Sequence, residues 1–481
     1  MLDRQRFGAT ADMKRYQSLA KEFSKRIEEG ILLPGDRLPS VRKLSRGRHV
    51  SPATVLQAYR LLEDGGSIQT RARSGHYVSP HWRAATQKPQ ISLPPRTAAA
   101  VDVRDLVFEL LQTIQSRDFV SLGSSFPGPE HFPHAKLASA LHASARKLDP
   151  RSIYDDIPLG NPELRRLISR RYMECGCDVR MEEIVITSGA LEALSLSLQA
   201  VTRPGDIVAI ECPAFYVVLE AIERLGLKAV EVPTHPRDGM SVPALAEALE
   251  RHPIKACWLM TSFQNPLGSS MPEDSKRALV KLLAAHDIPL IEDDVYAELY
   301  FGKERRKPAK AFDRGGRVLH CGSFSKCLAP GYRVGWVAPG RHAMQVGRAK
   351  MMTTIATSIP TQSAIVEFLK HGGYAHHLRR LRRTLATNQE RMLEAIGRHF
   401  PAGTRVTTPA GGYFLWVEMP ANASAMEVHR LAFDRKISVA PGPLFSARRG
   451  FGTCLRLNYG LAWSPKTDAA IATLGKISGA L

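Results

Sequence analysis

From Tyr16 to Glu29 the apolar side chains Leu19, Phe23 and Ile27 recur every fourth residue, with Lys21, Lys25, Arg26 and Glu28 between them. This spacing predicts a helix with one buried stripe, ended by Gly30. Pro34-Gly35-Asp36 then turns the chain, and Ser40 stands at the N-cap of a short second helix through Val41 and Leu44. Ser51 followed by Pro52 repeats the signal with proline at the first helical position. The third helix buries Val55, Tyr59 and Leu62 and stops at Gly65-Gly66. Between Ser67 and Val78, two short strands around Arg71 to Gly75 make a basic hairpin. The first 80 residues therefore read as a mainly α module with a β wing.

Periodicity fades from His81 to Ala100, where Pro89, Pro94 and Pro95 lie among Thr, Gln and Ala, the composition of a semi-rigid tether. Leu106, Val107, Leu110, Leu111 and Ile114 then predict an amphipathic helix over Asp102 to Ser116. After residue 120, strand-like runs alternate with helical patterns: Ile184 to Thr187, Ile207 to Ile210, Ala229 to Val232, Ala256 to Met260, Pro289 to Glu292 and Val318 to Cys321. Such alternation predicts an α/β domain with a mostly parallel sheet, in which ligands bind at the carboxyl ends of the strands. The expected organisation is a head over 1–80, a linker over 81–120 and a large domain over 121–481.

The formal net charge of +20 over 481 residues changes this picture chiefly at the head. Residues 1–90 hold 17 Lys/Arg against 8 Asp/Glu, which points that end towards a polyanion. The seven cysteines are odd in number and scattered, so small buried thiols are expected, with no disulfide framework and no metal-ligand set. No apolar run of membrane-spanning length occurs, so a cytoplasmic protein without a membrane partner is expected.

Three short helices and a basic hairpin can place the third helix in a DNA major groove. Arg42, Lys43, Arg46, Arg48, Arg71 and Arg73 would neutralise phosphates, while Ser51, Thr54 and Gln57 are the candidates for base edges. Ser40 and Ser51 serve equally as helix caps. The stretches Leu38-Pro39-Ser40-Val41-Arg42-Lys43-Leu44, Val50-Ser51-Pro52-Ala53-Thr54-Val55, Leu61-Leu62-Glu63-Asp64-Gly65 and Ser74-Gly75-His76-Tyr77-Val78 resemble the winged helix-turn-helix of the GntR family. The resemblance implies that Arg42, Ser51 and Thr54 contact DNA and that Gly75 approaches the minor groove; Ser40 and Lys43 are counted with this set. Pro52 departs from the family, which often has arginine there.

In the large domain every chemically suggestive motif follows a strand. Ser188-Gly189-Ala190 opens a helix whose N–H groups can take a phosphate. Phe215 offers an aromatic face, or simply a core ring. Asn265 offers an amide and Asp293 a carboxylate able to pair with a protonated pyridine nitrogen. Lys326 can form a Schiff base with an aldehyde, and Ser323, Ser325 and Arg333 around it suit a phosphate. The ordered series Ser188-Gly189, Phe215, Asn265-Pro266-x-Gly268, Asp293-x-x-Tyr296, Ser323-x-Ser325-Lys326, Arg333-Val334-Gly335 and Arg456 resembles the fold-type-I aminotransferases of class I/II.

That resemblance implies a pyridoxal 5'-phosphate (PLP)-dependent transferase fold with a large, mostly parallel-sheet domain and a small α/β domain. By position it makes Lys326 the Schiff-base lysine and Asp293 the partner of the pyridine nitrogen. Asn265 and Tyr296 would bind the phenolic oxygen, Phe215 would stack on the ring, and Gly189, Ala190, Ser323 and Arg333 would hold the phosphate. Arg456 would take a substrate carboxylate, the bland alternative being a surface salt bridge. Tyr154 takes the place of the family tyrosine that reaches a neighbouring subunit's phosphate. The basic run His376 to Arg383 reads as a solvated helix face in preference to a DNA contact.

Head, tether and large domain together resemble the MocR-type regulators. The implied function is a homodimeric transcriptional regulator that binds operator DNA and senses PLP or an amino compound. The alternative is a working aminotransferase that passes an amino group from an amino acid to a 2-oxo acid.

Overall fold

A computed structural model describes residues 15–28, 31–33, 35–64, 67–71, 74–79, 88–99, 101, 118–151, 154 and 156–481. The chain divides into two compact units, Met1–Gln87 and Lys88–Leu481. In the first, α1 (Arg15–Glu28), α2 (Val41–Arg48) and α3 (Pro52–Asp64) precede β1 (Ile68–Arg71) and β2 (Gly75–Val78).

The stripe Leu19, Phe23 and Ile27 of α1 joins Val55, Tyr59 and Leu62 of α3 in one buried cluster, as the fourfold spacing predicts. The Phe23 ring meets Tyr59 edge-on at 5.8 Å, and the Tyr59 hydroxyl donates to the Pro39 carbonyl at 2.7 Å. This bond ties α3 to the turn before α2. β1 and β2 pair antiparallel with Ile68 opposite Val78. The Leu38 N–H donates to the His76 carbonyl and the Val78 N–H to the Asp36 carbonyl, both at 2.8 Å, which stitches the wing to the approach of α2.

Both predicted caps form. The Lys43 N–H donates to Ser40 Oγ (3.3 Å) and the Thr54 N–H to Ser51 Oγ (3.1 Å). Gly65-Gly66, Arg73 and the Arg71 side chain lie outside the described residues, as do the predicted helix over 102–116 and residues 81–87 of the tether.

The second unit begins inside the stretch counted with the linker. Ser92 is buried, accepts the Thr234 N–H at 3.0 Å and donates to the Cys212 carbonyl, and Ala99 bridges to Ala229. Residues 88–99 therefore pack on the large unit, where the proline content alone had suggested a tether. A short strand β3 (Val120–Ser121) pairs with Ile437–Ser438.

The main sheet is built from β4 (Val185–Thr187), β5 (Ile207–Cys212), β6 (Lys228–His235), β7 (Gly239–Met240), β8 (Ile254–Leu259), β9 (Leu290–Asp293), β10 (Val318–Ser323) and β11 (Gly335–Ala338). Their order is β4-β11-β10-β9-β8-β5-β6-β7. The six strands expected from the sequence are all present. β11 was not expected, and it runs antiparallel between β4 and β10, so the sheet is mixed. Helices such as Ala190–Val201 and Glu273–Ala285 connect the strands, their buried faces packed in the apolar clusters that hold the sheet.

A smaller antiparallel sheet contains Arg405–Val406, Phe414–Glu418, Cys454–Asn458 and Ala440–Pro441, accompanied by the helices Tyr374–His399 and Pro465–Ala480. All seven cysteines are free and buried. Among the described residues no helix is long and apolar enough to cross a membrane.

Ser51 is tested by its cap. Ser51→Ala is expected to lower the stability of the head by about 1 kcal/mol, and Ser51→Gly by only a few tenths. Urea denaturation followed through the head would show this; equal, negligible effects of both would mean that the cap does not hold α3.

Candidate functional site

The carboxyl ends of the parallel strands converge on one edge. Asp293 ends β9, Ser323 ends β10 with Lys326 three residues beyond, Gly189 follows β4, Phe215 follows β5 and Asn265 follows β8. Because β11 is antiparallel, its start lies at the same edge, with Gly335 paired to both Thr187 and Ser323. That register brings Arg333, two residues before β11, to Gly189.

Two glycines make this approach possible. A Cβ on Gly189, at φ +90°, would lie 2.6 Å from an Arg333 Nη, and one on Gly335 would lie 2.8 Å from the Ala190 nitrogen. Arg333 itself has φ +50°, a strained conformation for a side-chain-bearing residue and one that concentrates at functional sites. Its guanidinium donates to Ser325 Oγ at 3.3 Å, and the Ser325 N–H donates to Ser323 Oγ at 3.0 Å. Arg333 has no ion-pair partner among the described residues. With the first-turn amides of Ala190–Val201 beside it, it forms a cradle for an anion. The Ser188 N–H is not part of that cradle, since it donates to Glu192 at the same helix start.

Lys326 and Asp293 occupy the centre. Burial pushes the Lys326 amine down to about 7, helped by the charges of Arg456 and Arg333 and opposed by Asp293. Burial likewise pushes Asp293 up to about 7, against the Val295 N–H and Lys326. The Lys326 ammonium donates to the Ser125 carbonyl at 2.7 Å and lies 3.8 Å from the centre of the Phe126 ring. Asp293 Oδ1 and Asn265 Nδ2 are buried and have no hydrogen-bond partner among the described residues. An acceptor and a donor left empty in this way call for a ligand with a matching N–H and oxygen.

Tyr296 is buried with its ring edge-on to Tyr413 at 5.3 Å, and burial raises its hydroxyl pKa. Phe215 is half-buried, its ring 4.7 Å from that of Tyr216.

Arg456 is 0 % exposed, which removes the surface salt-bridge reading. It lies in the strand Cys454–Asn458, with its guanidinium 4.5 Å from the Phe414 ring centre and 5.3 Å from that of Phe445. It donates to Asn265 Oδ1 (3.0 Å), to Ser125 Oγ (3.1 Å) and to the Gly123 carbonyl. All three acceptors are neutral, and among the described residues no carboxylate pairs with it. Tyr154 stands 77 % exposed and joins none of these groups within the chain.

Sequence reasoning missed Gly123, Ser125, Tyr216 and Tyr413. Ser125 gathers them: its carbonyl accepts from Lys326 and from the Tyr413 hydroxyl (3.0 Å), and its Oγ bonds Arg456 and the Tyr216 hydroxyl (2.9 Å). The only signal was the turn-rich run Leu122 to Pro133, which has no periodicity. Glu211 was missed as well; burial raises its pKa to about 8 beneath the site.

On the head, Ser40, Arg42, Lys43, Arg46 and Gln57 are exposed and Thr54 is half-buried. Arg42, Lys43 and Arg46 are in no ion pair among the described residues, whereas Arg48 is held by Glu22. Gly75 takes φ +116° in the wing, with Arg37 3.4 Å from where a Cβ would be.

Residues 117–472 match the aminotransferase class I and II family, and residues 15–78 match the gntR family of bacterial regulatory proteins. The chain is 45% identical over 466 residues to the uncharacterized HTH-type transcriptional regulator YdcR of Escherichia coli (strain K12), covering 97% of this chain and 99% of that one. It is 32% identical over 355 residues to the 2-aminoadipate transaminase of Thermus thermophilus, covering 73% and 88%. The crystal structure of LysN, an alpha-aminoadipate aminotransferase of Thermus thermophilus complexed with N-(5'-phosphopyridoxyl)-L-leucine, superposes with a TM-score of 0.70 at 28% identity, covering 79% of this chain and 99% of that one. A GntR head on an aminotransferase fold, in a chain this similar throughout to such a regulator, belongs to the MocR-type family of HTH transcriptional regulators.

Proposed function

We propose that this chain is a cytoplasmic, homodimeric regulator that binds operator DNA through its head, binds PLP at Lys326 and senses an amino acid at Arg456. The observation that carries the reading is the Arg456 guanidinium, 0 % exposed and without a carboxylate partner among the described residues, beside an amine held down to about 7.

The residues fit the cofactor. The Gly189 and Ala190 turn, Ser323, Ser325 and Arg333 would hold its phosphate, and the exposed Tyr154 would complete the phosphate set of a second copy. Asp293 Oδ1 would accept from the pyridine nitrogen, Asn265 Nδ2 and the Tyr296 hydroxyl would donate to the phenolic oxygen, and Phe215 would cover the ring. When bound, PLP supplies an aldehyde that condenses with amines and an electron-withdrawing ring.

Lys326 acts as the nucleophile, because about half of an amine with a pKa near 7 is uncharged at neutral pH, against almost none at the ordinary lysine value. Asp293 holds a proton at the pyridine nitrogen. Arg456 orients an amino acid by its carboxylate, which must displace the Ser125 hydroxyl or the Gly123 carbonyl. These two residues follow directly on β3, early in the second unit's chain. Displacing them is the differential contact through which a ligand would alter DNA binding.

The direct test titrates DNA from the protein's own upstream region at two salt concentrations, with and without PLP and candidate amino acids, for wild type and Lys326→Ala. Affinity should fall steeply with salt, change with ligand in the wild type and ignore ligand in the variant. Unchanged affinity and dimer shape at saturating PLP and amines would end the sensing reading, and robust multiple turnover with 2-oxoglutarate would put the aminotransferase reading in its place.

The rate of PLP capture by cofactor-free protein should rise with pH through about 7, following loss of the Lys326 proton. Asp293→Asn should move that midpoint lower, since the carboxylate works to raise it. Stopped-flow absorbance gives the profile; a midpoint in the ordinary lysine range near pH 10 would contradict the assignment. Arg456→Lys should weaken the amino-acid response by about 2 kcal/mol, roughly 30-fold, through loss of the planar fork. PLP absorbance should persist in that variant, so a spectral titration separates the two effects.

A further inference from the structure

A cavity of about 1030 Å³ opens in the large unit, walled by the end of the helix Pro162–Glu174, the segment Glu298–Lys307 and the first turns of the helix Tyr374–His399. None of the residues assigned above to PLP or to an amino acid lines it. At its floor the Glu298 carboxylate receives Arg171, Arg305 (3.0 Å) and Arg382 (3.3 Å), and Arg305 also pairs with Asp294 at 3.1 Å.

These floor side chains are rigidly held. The Arg382 guanidinium lies 3.6 Å from the centre of the Tyr300 ring, and the Arg171 guanidinium 4.7 Å from that of Tyr374. Burial works to raise the Glu298 pKa, but Arg305, Arg171 and Arg382 outweigh it and hold the carboxyl below its ordinary range. Three guanidinium charges thus meet two carboxylates.

The rim adds Lys303, Lys307, Arg379 and Arg383, all exposed and in no ion pair among the described residues. It also carries Glu174, Glu273 and Glu304, so the lining holds seven cations against four carboxylates. A solvated basic face would spread such charges outward, and for the exposed Arg379 and Arg383 alone that account would suffice. It does not explain why cations from three separate segments surround a concavity whose floor already has a cationic excess.

We propose that this cavity is a second ligand site, independent of Lys326, that takes a small phosphate-bearing polyanion. Guanidinium forks match phosphate oxygens, and several cations around one volume favour a ligand with more than one charged group. A concave site with half-buried arginines suits a small molecule better than a DNA backbone, which is met by protruding cations. Glu298 and Asp294 lie on either side of Tyr296 in the chain, so this site backs directly on the residues assigned to PLP.

The test is calorimetric titration of the full-length protein with inorganic pyrophosphate, at ionic strength fixed with sodium chloride, with and without PLP. With PLP bound, saturable binding of one equivalent per chain is expected, at least ~10-fold weaker in Arg379→Ala/Arg383→Ala; without PLP the Arg333 cradle takes a second equivalent. The cavity binding should be unchanged in Arg391→Ala, an exposed cation of the same helix outside the cavity. Circular dichroism confirms that the double variant is folded. With PLP bound, absence of saturable binding, equal binding by the double variant, or loss in Arg333→Ala with retention in the double variant would each overturn the proposal. So would a double variant whose only defect is weaker DNA binding, which would make these arginines backbone contacts.

Discussion

Burying a guanidinium without a counter-ion costs several kcal/mol, and a fold that does so must solvate the charge from within. Arg456 shows how. The strand Cys454–Asn458 fixes its backbone in the small sheet, Phe414 and Phe445 face the cation, and Asn265, Ser125 and Gly123 supply oxygens from two other parts of the chain. One charge thereby ties together the small sheet, the turn after β8 and the loop after β3. Neutral acceptors solvate the cation but bring no opposite charge to it. In the proposed function an anionic ligand would supply that charge.

The same burial governs Lys326 and Asp293. They attract each other, yet both lie near 7, the amine lowered and the acid raised. Desolvation therefore exceeds their Coulomb attraction. Arg456 and Arg333 also repel the Lys326 charge, so the cations that suit a carboxylate and a phosphate help to keep the amine reactive. Each group feels the charge of the other, so removing one charge shifts the other's pKa.

Residues at strand ends were legible in the sequence because strand periodicity locates the ends. Lys326, Asp293 and Asn265 could be placed on chemistry and position alone. Arg333 was read in the sequence as a candidate phosphate contact, but the strand following it was hidden, since Gly335-Trp336-Val337-Ala338 is short and lies within the same motif. Its antiparallel direction is what carries Arg333 to Gly189. Ser125 was illegible for a different reason: its role depends on where a non-periodic loop lands, and no local pattern encodes that. Composition misled at residues 88–99, where prolines suggested a tether but Ser92 closes a buried hydrogen-bond bridge between Cys212 and Thr234. In the head, helix caps and stripes were read correctly because every signal is local.

A ligand can shift a conformational equilibrium only by the difference in its affinity for the two states. In the proposed regulator that difference has a definite location. Ser125 serves Lys326 and Tyr413 through its carbonyl and Arg456 and Tyr216 through its hydroxyl, so the loop's contacts at the site all stand or fall together. In the proposed reading a carboxylate at Arg456 would offer the cation a stronger partner than the loop can, and engagement of the Lys326 amine would release it from the Ser125 carbonyl. Both events would disfavour the same loop position. Couplings between sites in proteins are typically about 1–3 kcal/mol. A coupling of that size would be sufficient to alter DNA occupancy in the proposed regulator.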